Sequence, residues 1–405
     1  MVRGNVGPGF PLEEPPDNSA CVSSIDPREA QADRAAAARD FVAAERLLAG
    51  LVSDAPERGD AWFKLASIRR ALGDVPGALE AVSGALRLDP LAFLPLLMKA
   101  TLLEQSGERD AAGELYGAVL FHAPPGDRLP PAVREQLARA RKLHDAYIAR
   151  REAVYDQAAG AALDRADPAE RKRIERFQAN ALRKTRAWHQ EPTHFHFPGL
   201  AEHEFFARET FPFLAGLEAA AGDIRAEFEA LIASEKGELV PYVQDSDEVP
   251  GQMAALSSSR DWTAVHLIAY GERIETNARH CPRTLALFDR IGQPQIAGRS
   301  PNLMFSLLAP RTRIPPHHGV SNARLVLHLP LIVPPHCGFR VGGETREWVP
   351  GEAFVFDDTI EHEAWNDSDQ LRVVLIGDLW RPELTPVERE AVAAIVAASA
   401  APTAL

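Results

Sequence analysis

Alanine, glycine and proline return on a fixed 34-residue interval between residues 28 and 125, and this repeat constrains the fold more than any other feature of the chain. Pro56, Pro90 and Pro124 are spaced by 34 residues, as are Ala32, Ala66 and Ala100, and again Ala44, Ala78 and Ala112; Gly73 and Gly107 keep the same step. Four positions holding one register argue against an unrelated alanine-rich bundle. A helix pair per unit accounts for the pattern. Small residues let two helices approach closely, and proline cannot continue a helix, so it ends the unit. About three units are visible, near the minimum for a stable stack.

The period resembles the tetratricopeptide repeat, with a concave groove suited to a peptide or partner. The chain has 405 residues, more than one core organises, so further domains are expected. Residues 1–27, rich in Pro and Gly without periodicity, read as a disordered leader, 28–125 as the repeats, 126–188 as a helical cap or linker, and 189–405 as a β-rich domain. A net charge of -13 argues against binding nucleic-acid phosphates and against an anionic membrane surface, and no basic amphipathic helix is evident. Cys21, Cys281 and Cys337 lie far apart with no metal-type spacing, and no apolar signal segment opens the sequence, so a cytoplasmic protein is expected.

From His189 onward the texture changes. HEFFARETFPFLAGLEAAAGDIRAEFEALIASEKG reads as helix-like. After Leu239 short apolar runs follow: WTAVHLIAY, NLMFSLLA, RLVLHLPLIV, GFRV, TREWV, EAFVFDD and LRVVLIGDLW. Turn signals at Gly342-Gly343, Pro350-Gly351 and Asn366-Asp367 separate them, which predicts a sandwich or barrel. TPVEREAVAAIVAASA, opening with a Thr-x-x-Glu pattern, predicts a terminal helix.

Chemistry concentrates between Ile314 and Leu384. His317 and His362 each stand at a strand edge, where imidazoles can converge on a metal; imidazole suits iron, copper, nickel and zinc alike. His318 competes with His317 for the role. Two residues after His317, where an oxygenase commonly has a carboxylate, stands Gly319, so either water or Asp357 or Asp358 fills the third position. Arg372, among Leu371, Val373, Val374 and Leu375, is expensive to bury unless it meets an anion; the alternative is an outward-facing position. Alternation puts Arg324 and His328 on one polar face with Val326 between them. Ser306 on its own strand reads as a small solvent-facing residue.

At these residues the chain resembles the aspartyl/asparaginyl β-hydroxylase family over roughly Leu239–Leu384, most tightly in SLLAPRTRIPPHHGVSNARLVLHL, FDDTIEHEAWNDSDQLRVVLI and DLWRPELTP. The resemblance implies a double-stranded β-helix (jelly-roll) behind the helical repeats, an α+β multidomain chain. It implies an Fe(II)- and 2-oxoglutarate-dependent dioxygenase that consumes O2. His317 and His362 match the iron ligands. Arg372 matches the arginine holding the distal carboxylate of 2-oxoglutarate, with Ser306 and His328 helping to hold this co-substrate. Arg324 matches a substrate-contacting arginine, Arg260 is a further candidate, and the missing carboxylate at Gly319 is the family's own habit. Val326 departs from members that carry a second arginine there. The implied substrate is an Asp or Asn residue of a peptide or protein, hydroxylated at Cβ. Competing expectations are the same chemistry on a lipid or a small siderophore-type molecule, and a non-catalytic docking scaffold.

Overall fold

The structure is a computed structural model that describes residues 26–243 and 256–399; Cys21 and nearly all of the expected leader lie outside the described residues. The chain divides into two compact units, residues 1–182 and 183–405.

Among its described residues the first unit is built of helices. Its pairs are α1 (Pro27–Ala37) with α2 (Phe41–Asp54), α3 (Gly59–Ala71) with α4 (Val75–Leu88), and α5 (Phe93–Gln105) with α6 (Arg109–Phe121). Two longer elements follow, α7 (Pro131–Leu163) and α8 (Pro168–Ala181). Ala32, Ala66 and Ala100, and their counterparts Ala44, Ala78 and Ala112, are all buried, because only a methyl group fits where paired helices cross. Gly73 and Gly107 turn each pair with positive φ, at 79° and 83°. One 34-residue step earlier Arg39 takes the same left-handed turn at φ 61°, a strained choice for a residue with a Cβ.

The second unit is built on two antiparallel sheets. Its strands are β1 (Val240–Pro241), β2 (Trp262–Ala269), β3 (Glu272–Arg273), β4 (Leu303–Leu308), β5 (Thr312–His317), β6 (Arg324–Ile332), β7 (Cys337–Val341), β8 (Glu344–Glu347), β9 (Phe354–Phe356), β10 (His362–Asn366) and β11 (Arg372–Trp380). Among the described residues the major sheet runs β1-β2-β4-β11-β6-β9, with β3 also on β2, and the minor sheet runs β5-β10-β7-β8. The expected order, helical repeats and then an antiparallel β domain, is what the chain forms.

Period-2 alternation divides each major strand between two cores. Leu325, Leu327, Leu329 and Leu331 of β6 face outward with Phe305, Val373 and Leu375. Helices α9 (Leu214–Ala219), α10 (Ala221–Ala233) and α12 (Pro282–Phe288) cover them with Leu217, Phe228 and Phe288. Val326, Met304, Val374 and Ile376 face inward and meet Ile314, Phe339, Val341 and Ala364 of the minor sheet. A short helix α11 (Glu275–Ala278) follows β3, and α13 (Pro386–Ala398) ends the unit. Thr385 caps α13 and Glu388 answers it in the expected capping box.

The helix-like reading of HEFFARETFPFLAGLEAAAG is corrected at its first half. Phe205 bridges to Phe356 in extended form, and regular helix begins only at Leu214, after Pro212 has withdrawn a backbone donor.

Candidate active site

His317 closes β5 and His362 opens β10, and the two are direct partners across the antiparallel pair. Their ring centroids lie 4.0 Å apart. Each ring is held by its own chain: His317 Nδ1 lies 2.9 Å from the Pro315 carbonyl and His362 Nδ1 3.1 Å from the Ile360 carbonyl. A carbonyl can only accept, so Nδ1 carries the proton and Nε2 keeps its lone pair. Burial lowers both pKa values, that of His362 well below 6.5, with His317 adding to the effect. Two neutral imidazoles side by side, each with a free Nε2 lone pair, are chemically able to ligate a metal. His318 turns the other way, 3.7 Å from Glu191, so it does not compete.

The two neighbouring aspartates separate cleanly. Asp357 is wholly buried and committed to structure: its carboxylate accepts from Arg381 at 2.6 Å, Gln190 at 2.7 Å and Thr359 at 2.5 Å. Asp358 lies against Gly319. A Cβ at residue 319 would overlap the Asp358 carboxylate, and the Gly319 N–H donates to the Asp358 carbonyl at 2.6 Å. One Asp358 oxygen, Oδ1, is buried with no partner. Burial pushes its carboxyl up to about 6 against the pull of Arg324. Among the described residues no group of three or more His, Cys, Asp or Glu is placed to hold a metal.

Arg372 sits on the inward face of β11, level with Leu308 of β4, and is 2% exposed. Its Nε has no partner, and burial lowers its pKa to about 10 with no carboxylate acting on it. A buried guanidinium without an anion is costly, and its fork has the chemistry to receive one. Its carbon centre lies 5.0 Å over the Trp348 ring, which in turn stacks on His328 at 5.4 Å. His328 Nδ1 and Trp348 Nε1 are also buried without partners. Phe339, Phe354 and Phe356 surround His328. Ser306, expected from its strand alone to face solvent, is buried inward, and its hydroxyl accepts the Trp262 indole N–H at 3.0 Å. Trp262 also lies 6.4 Å from His317 and carries Tyr242 stacked on its face at 3.9 Å. Sequence reading missed Trp348, Trp262 and Tyr242, because an indole or phenol in an apolar run gives no sign of facing a cavity. Asp378 was in reach: it shares the alternation 372, 374, 376, 378.

Arg324 is placed differently from a waiting substrate clamp. It is buried and paired with Asp358 at 3.1 Å and Asp378 at 3.2 Å. Arg260 is exposed in the loop before β2.

Comparison with known proteins follows this geometry. Residues 218–382 match the family model described as aspartyl/asparaginyl beta-hydroxylase. The ornithine lipid ester-linked acyl 2-hydroxylase of Rhizobium tropici is 33% identical over 203 residues, covering 49% of this chain and 68% of that protein. The chain belongs to the aspartyl/asparaginyl β-hydroxylase family. The aspartyl/asparaginyl beta-hydroxylase of Mus musculus is 36% identical over 141 residues, 35% of this chain, and the match spans only 19% of the mouse protein's length. Among solved structures, the Yersinia enterocolitica type III secretion chaperone SycD with a peptide of the translocator YopD is similar at 17% identity and a TM-score of 0.27, over 30% of this chain and 88% of that one. Among the described residues no helix is long and apolar enough to cross a membrane.

Proposed function

We propose that this family member is an Fe(II)- and 2-oxoglutarate-dependent dioxygenase, acting on an unactivated carbon of an Asp or Asn residue or of an acyl chain. One observation carries the reading. Two neutral imidazoles lie 4.0 Å apart, and His362 and a buried arginine with no carboxylate of its own pack on the same aromatic pair, Phe339 and Trp348. His317 and His362 would hold the ion through Nε2, with the Asp358 carboxylate, beside Gly319, as neighbouring negative charge. An iron(II) ion held there, with 2-oxoglutarate and dioxygen, would supply the oxidising power to hydroxylate a carbon that no acid or base residue could deprotonate.

The chain's own residues bind, orient and exclude water. Arg372 takes the distal carboxylate in its guanidinium fork. The Trp348 ring packs against the guanidinium and His328 stacks on that ring, fixing its approach. Phe339, Phe354 and Phe356 pack around His328 and Trp348, and this apolar surround would strengthen an ion pair at Arg372 by keeping solvent out. The helical repeats would dock a peptide or protein, and a reduced cytoplasm fits the free thiols of Cys281 and Cys337. The acyl reading is kept because the Rhizobium tropici relative is named for it and because Val326 leaves this wall apolar.

Anaerobic reconstitution with iron(II) and 2-oxoglutarate, then admission of air, tests the reading. Intact protein should release succinate, and His362→Ala should release none. Substantial succinate from that variant, supplied with both components, would contradict the assignment.

A further inference from the structure

Resting on the reading above for what the imidazoles hold, we propose that Gln190 is a positioning residue for both of them, the side-chain clasp of a strap that ties their two loops together. The strap is residues 188–197, ahead of the segment 218–382 that carries the family match. It crosses both loops by main-chain bonds. On the His362 side Gln190 bridges Ile360 in antiparallel register, and the Glu191 N–H donates to the Thr359 carbonyl at 2.8 Å. On the His317 side the Thr193 N–H donates to the Gly319 carbonyl at 3.0 Å. The N–H groups of His194 and Phe195 donate to the Val320 carbonyl at 3.2 and 3.0 Å.

The Gln190 side chain repeats this tie in the interior. Its Nε2 donates to Asp357 Oδ2 at 2.7 Å, and its Oε1 accepts from Asn322 Nδ2 at 2.8 Å. Asp357 and Asn322 are both wholly buried, one ahead of His362 and the other after His317. One amide therefore joins the two loops. The position asks for a donor at one end and an acceptor at the other, which a carboxylate or a hydrocarbon of the same length does not supply. Arg381 braces the same pair from the end of β11, reaching Asp357 Oδ2 at 2.6 Å and the Asn322 carbonyl at 3.5 Å. The strap is itself pinned at both ends. Trp188 packs against the guanidinium groups of Arg186 and Arg340, at 3.7 and 5.1 Å, and the Phe197 N–H donates to Asn322 Oδ1 at 2.7 Å.

The consequence falls on the rings. Ile360, the backbone partner of Gln190, offers the carbonyl that orients His362. The strap also holds Gly319 and Val320, which follow His317. Two imidazoles present Nε2 to one point only while their loops keep this spacing. Partners that orient metal ligands from behind are typically worth about 10–100-fold in metal affinity.

The test uses the full-length chain with Gln190→Ala and Gln190→Glu, the second keeping the length but setting another carboxylate against Asp357. The first readout is the Nδ1–H signals of metal-free, 15N-histidine-labelled protein, identified by their loss in His317→Ala and His362→Ala. Both should exchange slowly in the parent, and that of His362 at least tenfold faster in each Gln190 variant. The second readout is cobalt(II) binding by visible absorption, which should weaken at least tenfold. Amide protection of β4 and β11 should stay as in the parent, which separates lost alignment from a lost fold. Unchanged ring exchange, or unchanged cobalt affinity, would overturn the inference, as would an equal loss of protection in β4 and β11. A parent that binds no cobalt sinks the metal reading alone, and the ring exchange then decides the role of Gln190. Should neither variant fold, amide exchange in the parent decides. The amides of Glu191, Thr193 and Gly319 should open as one unit, and independent opening of the two loops would overturn the inference.

Discussion

The two faces of the major sheet come from the same residues in alternation, yet they obey opposite rules. The outward face of β6 is four leucines packed on helices, each satisfied by its neighbours. The inward face carries Arg324, His328, Ser306, Arg372 and Asp378, and on it several buried polar atoms have no partner. Stability explains the first face completely. The second costs stability, because an unmet buried donor or charge is worth about 1–3 kcal/mol or more against folding. Such a cost is what a pocket awaiting a ligand looks like.

Substitutions sharpen that contrast. Arg372→Met should weaken 2-oxoglutarate binding more than a hundredfold, on the order of 3–5 kcal/mol for a broken buried ion pair. Calorimetry would measure it. The ligand-free variant should melt no lower than the parent, since an unpaired buried charge has gone. A lower melting temperature would place Arg372 with the structural residues instead. Leu327→Ala, on the outward face, should do the reverse: a loss of about 2–5 kcal/mol in denaturant unfolding with the co-substrate Kd unchanged.

The smallest expected effect is on pH dependence. His317, His328 and His362 have pKa values lowered by burial, so the unfolded chain takes up protons near pH 6.5 and the folded chain does not. Their stability is present above the unfolded value and is lost as pH falls toward the folded ones. Metal-free protein should lose up to about 1.4 kcal/mol per pH unit for each imidazole below pH 6.5. His328→Phe should flatten that slope, and an unchanged slope would mean the ring is not neutral in the fold.

Much of this contrast was legible in the sequence, for different reasons. The 34-residue spacing reports helix crossings directly, since steric exclusion at a crossing acts on single positions. Arg39 shows the limit of that logic: it occupies the glycine's turn in the first unit, and only backbone geometry reveals it. Alternation in RLVLHLPLI gave the two faces of β6. It did not distinguish a cation waiting for substrate from one already engaged, because Asp358 and Asp378 reach Arg324 from other strands and loops. Arg372 and Arg324 look alike in sequence, each an arginine opening an apolar strand, and only tertiary partners separate them. Likewise Asp357 and Asp358 are adjacent residues whose roles diverge because one meets Arg381 and the other faces the glycine.

That glycine governs which engineering routes are open. Building a three-ligand iron site by Gly319→Asp alone would drive the new side chain into Asp358. Vacating 358 alone would strip the partner from one arm of Arg324. The two positions are epistatic: a conversion passes through a damaged intermediate whichever residue changes first, and a library that mutates both at once is the one able to find it.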